Sequence, residues 1–196
     1  DGGQSFLRIG QNNNPDNGNP GPVHVDHHVI LHDPNDPQVV YNGNDGGIYR
    51  STNGGTSWTS IGGSLSTLQP YHVSLHPTNP NIFFTGNQDN GTTRRTTSNV
   101  WTEVSGGDGG DSAIDFSNPQ IVFSSTQQLR IDRSTDGGNS FQPVFQPPEN
   151  EPVEFIAPLQ MDPVNSSVLY AGTNRLYRTT DSGSSWNPIS PALTRT

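Results

Sequence analysis

An all-β fold built from many short strands is predicted by three features of the sequence. The 196 residues include 22 Gly and 17 Pro, which interrupt helices, and only 28% of the residues are hydrophobic. Val, Ile, Tyr, Phe and Trp occur in short clusters between the turn residues, as they do in antiparallel sheets. These clusters also recur at a regular spacing, which argues against a disordered chain of low hydrophobicity.

The charge of the chain and its missing residue types exclude several functions. The formal net charge is −9, and all nine basic residues are Arg. A protein that binds duplex nucleic acid needs a basic surface to displace counterions, so we expect no nucleic-acid partner. The absence of Cys excludes disulfides and thiolate zinc sites. No apolar run reaches the length of a transmembrane helix, so we expect no membrane insertion.

An eight-residue motif is repeated along the chain. Its intact copies are residues 51–58 (STNGGTSW), 134–141 (STDGGNSF) and 179–186 (TTDSGSSW). A copy without its first two residues opens the chain at 1–6, and a degenerate copy without Asp or Gly ends at Trp101. The closing aromatic residues are 52, 43, 40 and 45 residues apart. The motif residues to which we assign a structural role are Asp1, Phe6, Ser51, Asn53, Gly55, Trp58, Ser134, Asp136, Gly138, Phe141, Thr179, Asp181, Gly183 and Trp186.

Each repeat is interpreted as four strands, A to D. A Pro-containing turn precedes strand B, and strand C ends at an Arg just before the motif. A four-stranded module of this length is the size of one β-propeller blade. The sequence therefore predicts a β-propeller of four-stranded antiparallel blades, with about four full blades plus one strand in a single domain. The predicted blades span about 25–62, 70–105, 111–146 and 154–190, with 4–9 as the last strand of a preceding blade, and strand D of the first blade is expected at 57–61.

The motif falls at the turn between strands C and D, where a structural role is expected. An Asp or Asn side chain there accepts hydrogen bonds from the backbone of its own turn, and Gly permits a positive φ. The closing ring is expected to be buried between sheets. Asn53 supports this interpretation, because an amide can accept such bonds but cannot act as a general acid or base.

The motif resembles the Asp-box or BNR repeat, S/T-x-D-x-G-x-x-W/F, known from sialidases, sortilin-type receptors, xyloglucan-cleaving glycoside hydrolases and a photosystem assembly factor. The resemblance covers nearly the whole chain and implies a propeller of the secreted or cell-surface type. It says little about activity, because the same repeat serves many unrelated functions.

Irregular polar segments collect on one face of the predicted propeller, in the D-to-A connections and the B-to-C turns. We call this the loop face. Repeats normally carry function where their copies diverge, so ligand contacts are expected there. Asp26 and Asp108 take equivalent positions before strand A, with Phe155 at that position in the fourth blade. The expected ligand-binding residues are His24, Asp26, His28, Asn44, Asp45, Tyr71, His72, Asn87, Gln88, Asp89, Asp108 and Asp111.

Two kinds of metal site are considered. His24, Asp26 and His28 alternate along a predicted strand, so they could share one face and ligate a metal, although a polar channel wall needs no metal. The Asp, Asn and Gly clusters offer oxygen ligands for Ca²⁺ but do not match an EF-hand loop. Asn-Gly and Asp-Gly pairs are also what hairpin turns require. We expect no other cofactor.

One candidate catalytic residue comes from the resemblance. Residues 44–50 (NDGGIYR) resemble the Asp-Ile-Gly-Gly-x-Tyr-Arg segment of xyloglucanase-type propellers, whose Asp is catalytic, and this implies that Asp45 is an acid or base. Glycoside cleavage needs a second carboxylate roughly 5–10 Å away, which in those enzymes comes from a second propeller domain. Sialidase chemistry has less support, because the Arg residues mostly occupy repeat positions and the four Glu fall in outer loops.

The expected function is a non-catalytic module, extracellular or on the cell surface, that binds glycan or protein. Its contacts would be Tyr71, His72, Asn87 and Gln88. The first alternative is a fragment of a glycoside hydrolase that uses Asp45. The second is a structural component of a surface assembly or filament, which associates with itself or with the remainder of a larger propeller.

Overall fold

The computed structural model describes residues 23–24, 26–62, 68–97 and 100–193. Within these ranges the chain forms sixteen strands, no α-helix and one short 3₁₀ turn at Gln127–Leu129. The strands form four antiparallel sheets of four strands each, and every sheet uses strands that are consecutive in the chain. This arrangement confirms the predicted all-β fold class of four-stranded propeller blades.

We number the four sheets as blades 1 to 4, each with its strands A to D in chain order. The strands of blades 1 and 2 are β1 His27–His32, β2 Val40–Asn44, β3 Gly47–Ser51, β4 Thr59–Ser60, β5 Pro70–Leu75, β6 Phe83–Asn87, β7 Thr92–Thr97 and β8 Val100–Ser105. Those of blades 3 and 4 are β9 Gly109–Ile114, β10 Val122–Thr126, β11 Arg130–Ser134, β12 Gln142–Phe145, β13 Leu159–Met161, β14 Leu169–Gly172, β15 Leu176–Thr179 and β16 Asn187–Pro188.

The chain divides into two compact units. Unit 1 is Asp1–Thr67 and contains blade 1, whereas unit 2 is Leu68–Thr196 and contains blades 2 to 4. In unit 2 the innermost strand of blade 3, β9, is buried along its whole length. It contacts the innermost strands of both neighbouring blades, β5 and β13. Blade 3 therefore supplies much of the core of unit 2.

The turn between strands A and B has the same backbone bond in every blade. The N–H of the first turn residue donates to the carbonyl of the residue six positions later, at 2.9–3.0 Å. This bond aligns the four blades residue by residue and defines the equivalent positions used below. The donors and acceptors are Asp33 and Val39, His76 and Ile82, Asp115 and Ile121, and Asp162 and Val168.

The repeated turn between strands C and D is closed by side-chain oxygens. Ser51 Oγ accepts a hydrogen bond from the Gly55 N–H, and Asn53 Oδ1 accepts one from the Ser57 N–H, both at 2.8 Å. The motif is thus a self-contained turn, which gives it the structural role that the sequence predicted. The same two bonds, at 2.8–2.9 Å, join Ser134 with Gly138, Asp136 with Ser140, Thr179 with Gly183, and Asp181 with Ser185.

These bonds favour the ionised form of the two carboxylates in the repeated turns. Hydrogen bonds from the hydroxyls of Ser134 and Ser140 hold the pKa of Asp136 well below its ordinary value of 3.8. At Asp181 the hydroxyl and amide of Ser185 contribute most, and the pKa falls to about 2. Both carboxylates are therefore charged acceptors at neutral pH and are poorly suited to general acid catalysis.

Successive blades in unit 2 are joined by an aromatic ring from strand B of the earlier blade. Phe84 of blade 2 is 1% exposed and packs against Ile114 and Val122 of blade 3, with Phe141 beside them. The ring lies so close to the repeated turn that a Cβ on Gly138 would be 2.4 Å from Phe84 Cζ. The second Gly of the motif therefore makes room for the neighbouring blade.

The structure corrects three details of the predicted elements. Strand D of blade 1 is Thr59–Ser60 rather than 57–61, because the Ser57 N–H is used by the turn and not by the sheet. The first strand of blade 4 begins at Leu159, directly after Pro158, which lacks a backbone donor. The Trp101 ring is not buried between sheets but is 45% exposed. It packs edge-on against Phe83 of its own blade, with ring centroids 5.1 Å apart. The motif copy with Asp1 and Phe6, and the predicted strand at 4–9, lie outside the described residues.

Candidate functional site

On the loop face of unit 2, a turn of blade 2 interlocks with a connection of blade 3. Asp89, in the B-to-C turn of blade 2, has a φ of 56°, and its N–H donates to Asp108 Oδ1 at 2.9 Å. Beside this bond, the Gly91 N–H donates to the Gly107 carbonyl at 2.8 Å. The Asp108 N–H donates in turn to Gln127 Oε1 at 3.0 Å. The two acidic residues are thus parts of one hydrogen-bonded framework.

Tyr71 stands beside this framework with an exposed ring. Its hydroxyl donates to Gln88 Oε1 at 2.6 Å, and 38% of the residue is exposed. Partial burial and the negative charges of Asp108 and Asp89 raise the pKa of Tyr71 above 10. The phenol is therefore protonated at neutral pH, and its hydroxyl is oriented by Gln88.

A buried carboxylate joins the innermost strands of all three blades in unit 2. Asp111 on β9 is 7% exposed, and its Oδ2 accepts a hydrogen bond from the Leu159 N–H on β13 at 2.8 Å. Its Oδ1 is paired with His72 Nδ1 on β5. Asp111 orients the imidazole of His72, and the His72 side chain is still 60% exposed to solvent.

Two of the expected ligand contacts are instead buried parts of the B-to-C turns. Asn87 is fully buried, and its Nδ2 donates to the carbonyls of Thr85 and Gly91 at 3.1 and 3.0 Å. Asn44 takes the equivalent position in blade 1, where its Oδ1 accepts the Gly46 N–H at 2.9 Å. The expectation that Asn87 and Asn44 contact a ligand is therefore wrong, because their amides are used to close turns. Their equal spacing from the preceding turn was the sequence signal for this role.

In unit 1, the candidate catalytic Asp45 is paired with an exposed histidine. Its Oδ1 contacts His28 Nε2, and the side chains of Asp45 and His28 are 28% and 66% exposed. His28 lies on β1, and Asp45 lies in the B-to-C turn of the same blade. Asp45 is thus partly exposed, and its carboxylate is paired with His28. A ligand at this position would contact both side chains.

The structure does not bring His24, Asp26 and His28 together as a metal site. Asp26 has a φ of 60°, and the pairing of β1 with β2 is irregular between His27 and Val29. Strand alternation is therefore lost, and the possible ligand atoms of His24, Asp26 and His28 do not converge within 4.8 Å. His24 instead lies against Gly46, where an added Cβ would be 2.5 Å from His24 Cβ. The shared-face prediction is corrected on this point.

A partly buried glutamate on the loop face of blade 4, Glu151, forms a polar cluster with Tyr177 and Thr173 that was not predicted from the sequence. Glu151 Oε2 accepts a hydrogen bond from the Tyr177 hydroxyl at 2.8 Å, and its Oε1 accepts one from the Thr173 hydroxyl. Burial, followed by the interaction with Glu151, raises the pKa of Tyr177 to about 12. Residues 146–151 line a cavity of about 810 Å³ beside it. From the sequence, Glu151 was expected in an outer loop. The connection that contains Glu151 differs from the corresponding connections of the other blades in being rich in Pro, and this was the only sequence signal.

The geometry defines the chain as a set of β-propeller blades, and the B-to-C turns of blades 1 and 2 are closed by hydrogen bonds of buried Asn side chains. The innermost strands and the loop face carry its accessible polar groups, chiefly Tyr71, Gln88 and His72. No described helix has the length and apolar character needed to cross a bilayer.

Comparison with known proteins supports the fold. No protein-family model and no curated protein matches the chain. It is similar to a solved ancestral GH74 enzyme, with 25% sequence identity and a TM-score of 0.55, over 88% of this chain and 25% of that one. It is also similar to the GH74 xyloglucanase from Xanthomonas campestris (18%, TM-score 0.49, 82% and 29%) and to YCF48 from Cyanidioschyzon merolae (13%, TM-score 0.47, 90% and 59%). The chain thus spans about a quarter of the ancestral GH74 enzyme.

Proposed function

We propose that this chain is part of an Asp-box propeller that binds glycan at an extracellular or cell surface without cleaving it. The Asp-box assignment is supported by the three intact turns, which share the same hydroxyl and amide or carboxylate acceptors. The glycan class is supported by the 25% identity to an ancestral GH74 enzyme. A protein ligand is the other partner compatible with the polar groups of the loop face.

The observation that carries the proposal is the arrangement around Tyr71. Its exposed ring offers an apolar face to the C–H groups of a sugar, while Gln88 and the accessible imidazole of His72 offer polar groups to sugar hydroxyls. The Asp89–Asp108 framework and the buried Asp111 hold these groups in place before any ligand arrives. Such preorganisation lowers the entropic cost of binding.

Calorimetric titration with xyloglucan oligosaccharides, together with a glycan array, tests this function. We expect saturable binding that Tyr71→Ala weakens by about tenfold or more, as for a central aromatic contact. Phe116→Ala is the matched control, since Phe116 is similarly exposed but lies in the A-to-B turn of blade 3. An absence of binding to every glycan, or equal loss in the control, would contradict the proposal.

A glycoside hydrolase fragment is the second candidate, and the pairing of Asp45 with His28 favours it. In that case Asp45→Asn should abolish release of reducing sugar from xyloglucan while the melting temperature stays nearly unchanged. Asp36→Asn is the control, because Asp36 only accepts the Gln38 N–H of its own turn, which an amide can also do. Activity that survives Asp45→Asn rejects this assignment.

Ca²⁺ binding and an extracellular or cell-surface location stay predictions.

A further inference from the structure

The A-to-B turn of blade 2 differs from the other three in the side chain that closes it. In blades 1, 3 and 4 an aspartate at the first turn position accepts hydrogen bonds from N–H groups two or three residues later, at 2.7–3.0 Å. Blade 2 has His76 at the equivalent position. The bonds in the other blades run from Asn35 to Asp33, from Ser117 and Asn118 to Asp115, and from Val164 and Asn165 to Asp162.

The imidazole of His76 accepts the bonds that a carboxylate accepts elsewhere. Its Nδ1 is the acceptor for the N–H groups of Thr78 and Asn79, at 3.2 and 3.1 Å. An imidazole nitrogen accepts hydrogen bonds only while it carries no proton, so these bonds place the single proton of the neutral ring on Nε2. The closed turn of blade 2 therefore requires a neutral histidine.

Protonation of His76 removes the acceptor of this turn. Both nitrogens of an imidazolium are donors, so Nδ1 would then direct a proton at two backbone N–H groups. Histidine changes charge between about pH 5 and pH 8. The equivalent carboxylate of blade 4 stays ionised in that range, because the bonds from Val164 and Asn165 lower the pKa of Asp162 below its ordinary value of 3.8. As the pH falls from 8 to 5, only blade 2 therefore loses its turn acceptor.

A cavity next to His76 gives the turn space to rearrange. Its volume is about 200 Å³, and it is lined by His76 and by Asp136 in the repeated turn of blade 3. Two cations lie on the adjoining elements. Arg94 donates to the carbonyl of Gly137, which also lines the cavity, and Arg95 donates to a carbonyl of the blade 2 turn itself. The turn and the cavity are both built by consecutive blades of unit 2.

We propose that His76 is a pH-sensitive switch, whose protonation releases Thr78 and Asn79 and opens the A-to-B turn of blade 2 beside the repeated turn of blade 3. The switch acts through the loss of two backbone hydrogen bonds and needs no ligand. His76 directly follows β5, at the end of that strand opposite Tyr71. The switch therefore goes beyond ligand binding on the loop face and does not depend on it.

Nuclear magnetic resonance of the full chain, labelled with nitrogen-15, tests the switch between pH 8 and pH 5. The amide resonances of Thr78 and Asn79 should shift with the same midpoint as the ring of His76, because both amides lose their acceptor when the ring is protonated. The amides of Val164 and Asn165 are the internal control and should not shift in this range. Resonances of Thr78 and Asn79 that do not follow the titration of His76 would overturn the proposal.

Melting temperatures of two variants measure the effect on stability. His76→Asn keeps an oxygen acceptor that does not titrate, so the wild type should lose about 2–6 °C relative to this variant between pH 8 and pH 5. The chain has six histidines, and the other five are present in both proteins, so the difference isolates His76. His76→Asp, which restores the residue of the other blades, should behave like His76→Asn. A difference that stays constant with pH would contradict the switch.

Transfer of the histidine to blade 4 provides a converse experiment. Asp162→His, made in the His76→Asn background, should create a loss of melting temperature between pH 8 and pH 5, because the new imidazole would accept the same two backbone bonds. Asp162→Asn in the same background is the matched control and should show no such loss. Parallel pH profiles of these two variants would show that an imidazole in this turn does not confer pH sensitivity.

Discussion

At the scale of single residues, the repeated turn depends on acceptor geometry more than on charge. Asn53 and Asp181 occupy the same position and accept the same backbone bond, from Ser57 and Ser185. The carboxylate differs because its hydrogen bonds are made to a group that titrates. The stability of the two Asp turns therefore changes with pH only at low pH, where the carboxylates become protonated.

We expect the double variant Asp136→Asn, Asp181→Asn to lose part of the acid sensitivity of the wild type. The pKa of Asp181 is about 2 in the folded protein against an ordinary 3.8, and that of Asp136 is lowered in the same direction. The stabilisation is therefore complete above about pH 4 and is lost as the pH falls through the folded-state pKa values. Melting temperatures from pH 5 to pH 2 should fall less steeply in the variant.

Glu149→Gln is the control for this measurement, because Glu149 is an exposed carboxylate in the connection before blade 4. Its pH profile should match that of the wild type. An unchanged slope in the double variant would show that these turns do not contribute to the acid response.

Single-residue roles were predictable where they are local. The roles of Asn53 and Asp136 follow from bonds within eight residues of chain, so the motif itself contains the information. Burial of Asn87 was not predicted, because an Asn at the end of a strand can turn to solvent or to its own turn. Which way the Asn87 side chain turns depends on the backbone bond that the neighbouring connection makes to Gly91.

At the scale of elements, the second Gly of the motif decides how closely two blades pack. We expect Gly138→Ala to destabilise the protein by about 2 kcal/mol or more beyond Gly137→Ala. Both glycines have positive φ, 82° and 72°, so both substitutions carry a backbone cost of roughly 1–2 kcal/mol. Only the Cβ at Gly138 would collide with the Phe84 ring, whereas that at Gly137 would meet the end of Gln120 at 3.5 Å.

Urea unfolding of the two variants measures this difference. The comparison isolates the contact between blades, because the backbone strain is shared by both substitutions. Equal destabilisation would mean that the Phe84 ring adjusts without cost, and this ring would then not fix the spacing of blades 2 and 3.

At the scale of the whole molecule, both hydrophobic clusters of the described chain lie in unit 2. We therefore expect a chain of residues 68–196 alone to unfold cooperatively on heating, since three stacked repeats bury a continuous core. A chain of residues 23–67, with one sheet, should show no such transition. Circular dichroism with temperature measures both. A non-cooperative transition of 68–196 would contradict this view of unit 2.

The accessible polar groups of the loop face were predicted only in part. Tyr71, His72 and Gln88 were identified because they depart from the repeated pattern. The partners that orient them were not, since His72 and Asp111 are 39 residues apart and meet only where β5 packs beside β9. The Glu151 cluster was missed for the same reason, because its contacts with Thr173 and Tyr177 cross from a connection into the next sheet.

The sequence by itself determined the kind of module and its number, because strand alternation, turn residues and the motif bonds operate over fewer than ten residues. It also determined the structural role of the repeated turn. Only the tertiary structure decided which polar side chains are buried and which residues of different blades pair. Phe84 and Gly138 are 54 residues apart, and their contact exists only because one sheet packs on the next at a distance that the absent Cβ of glycine permits.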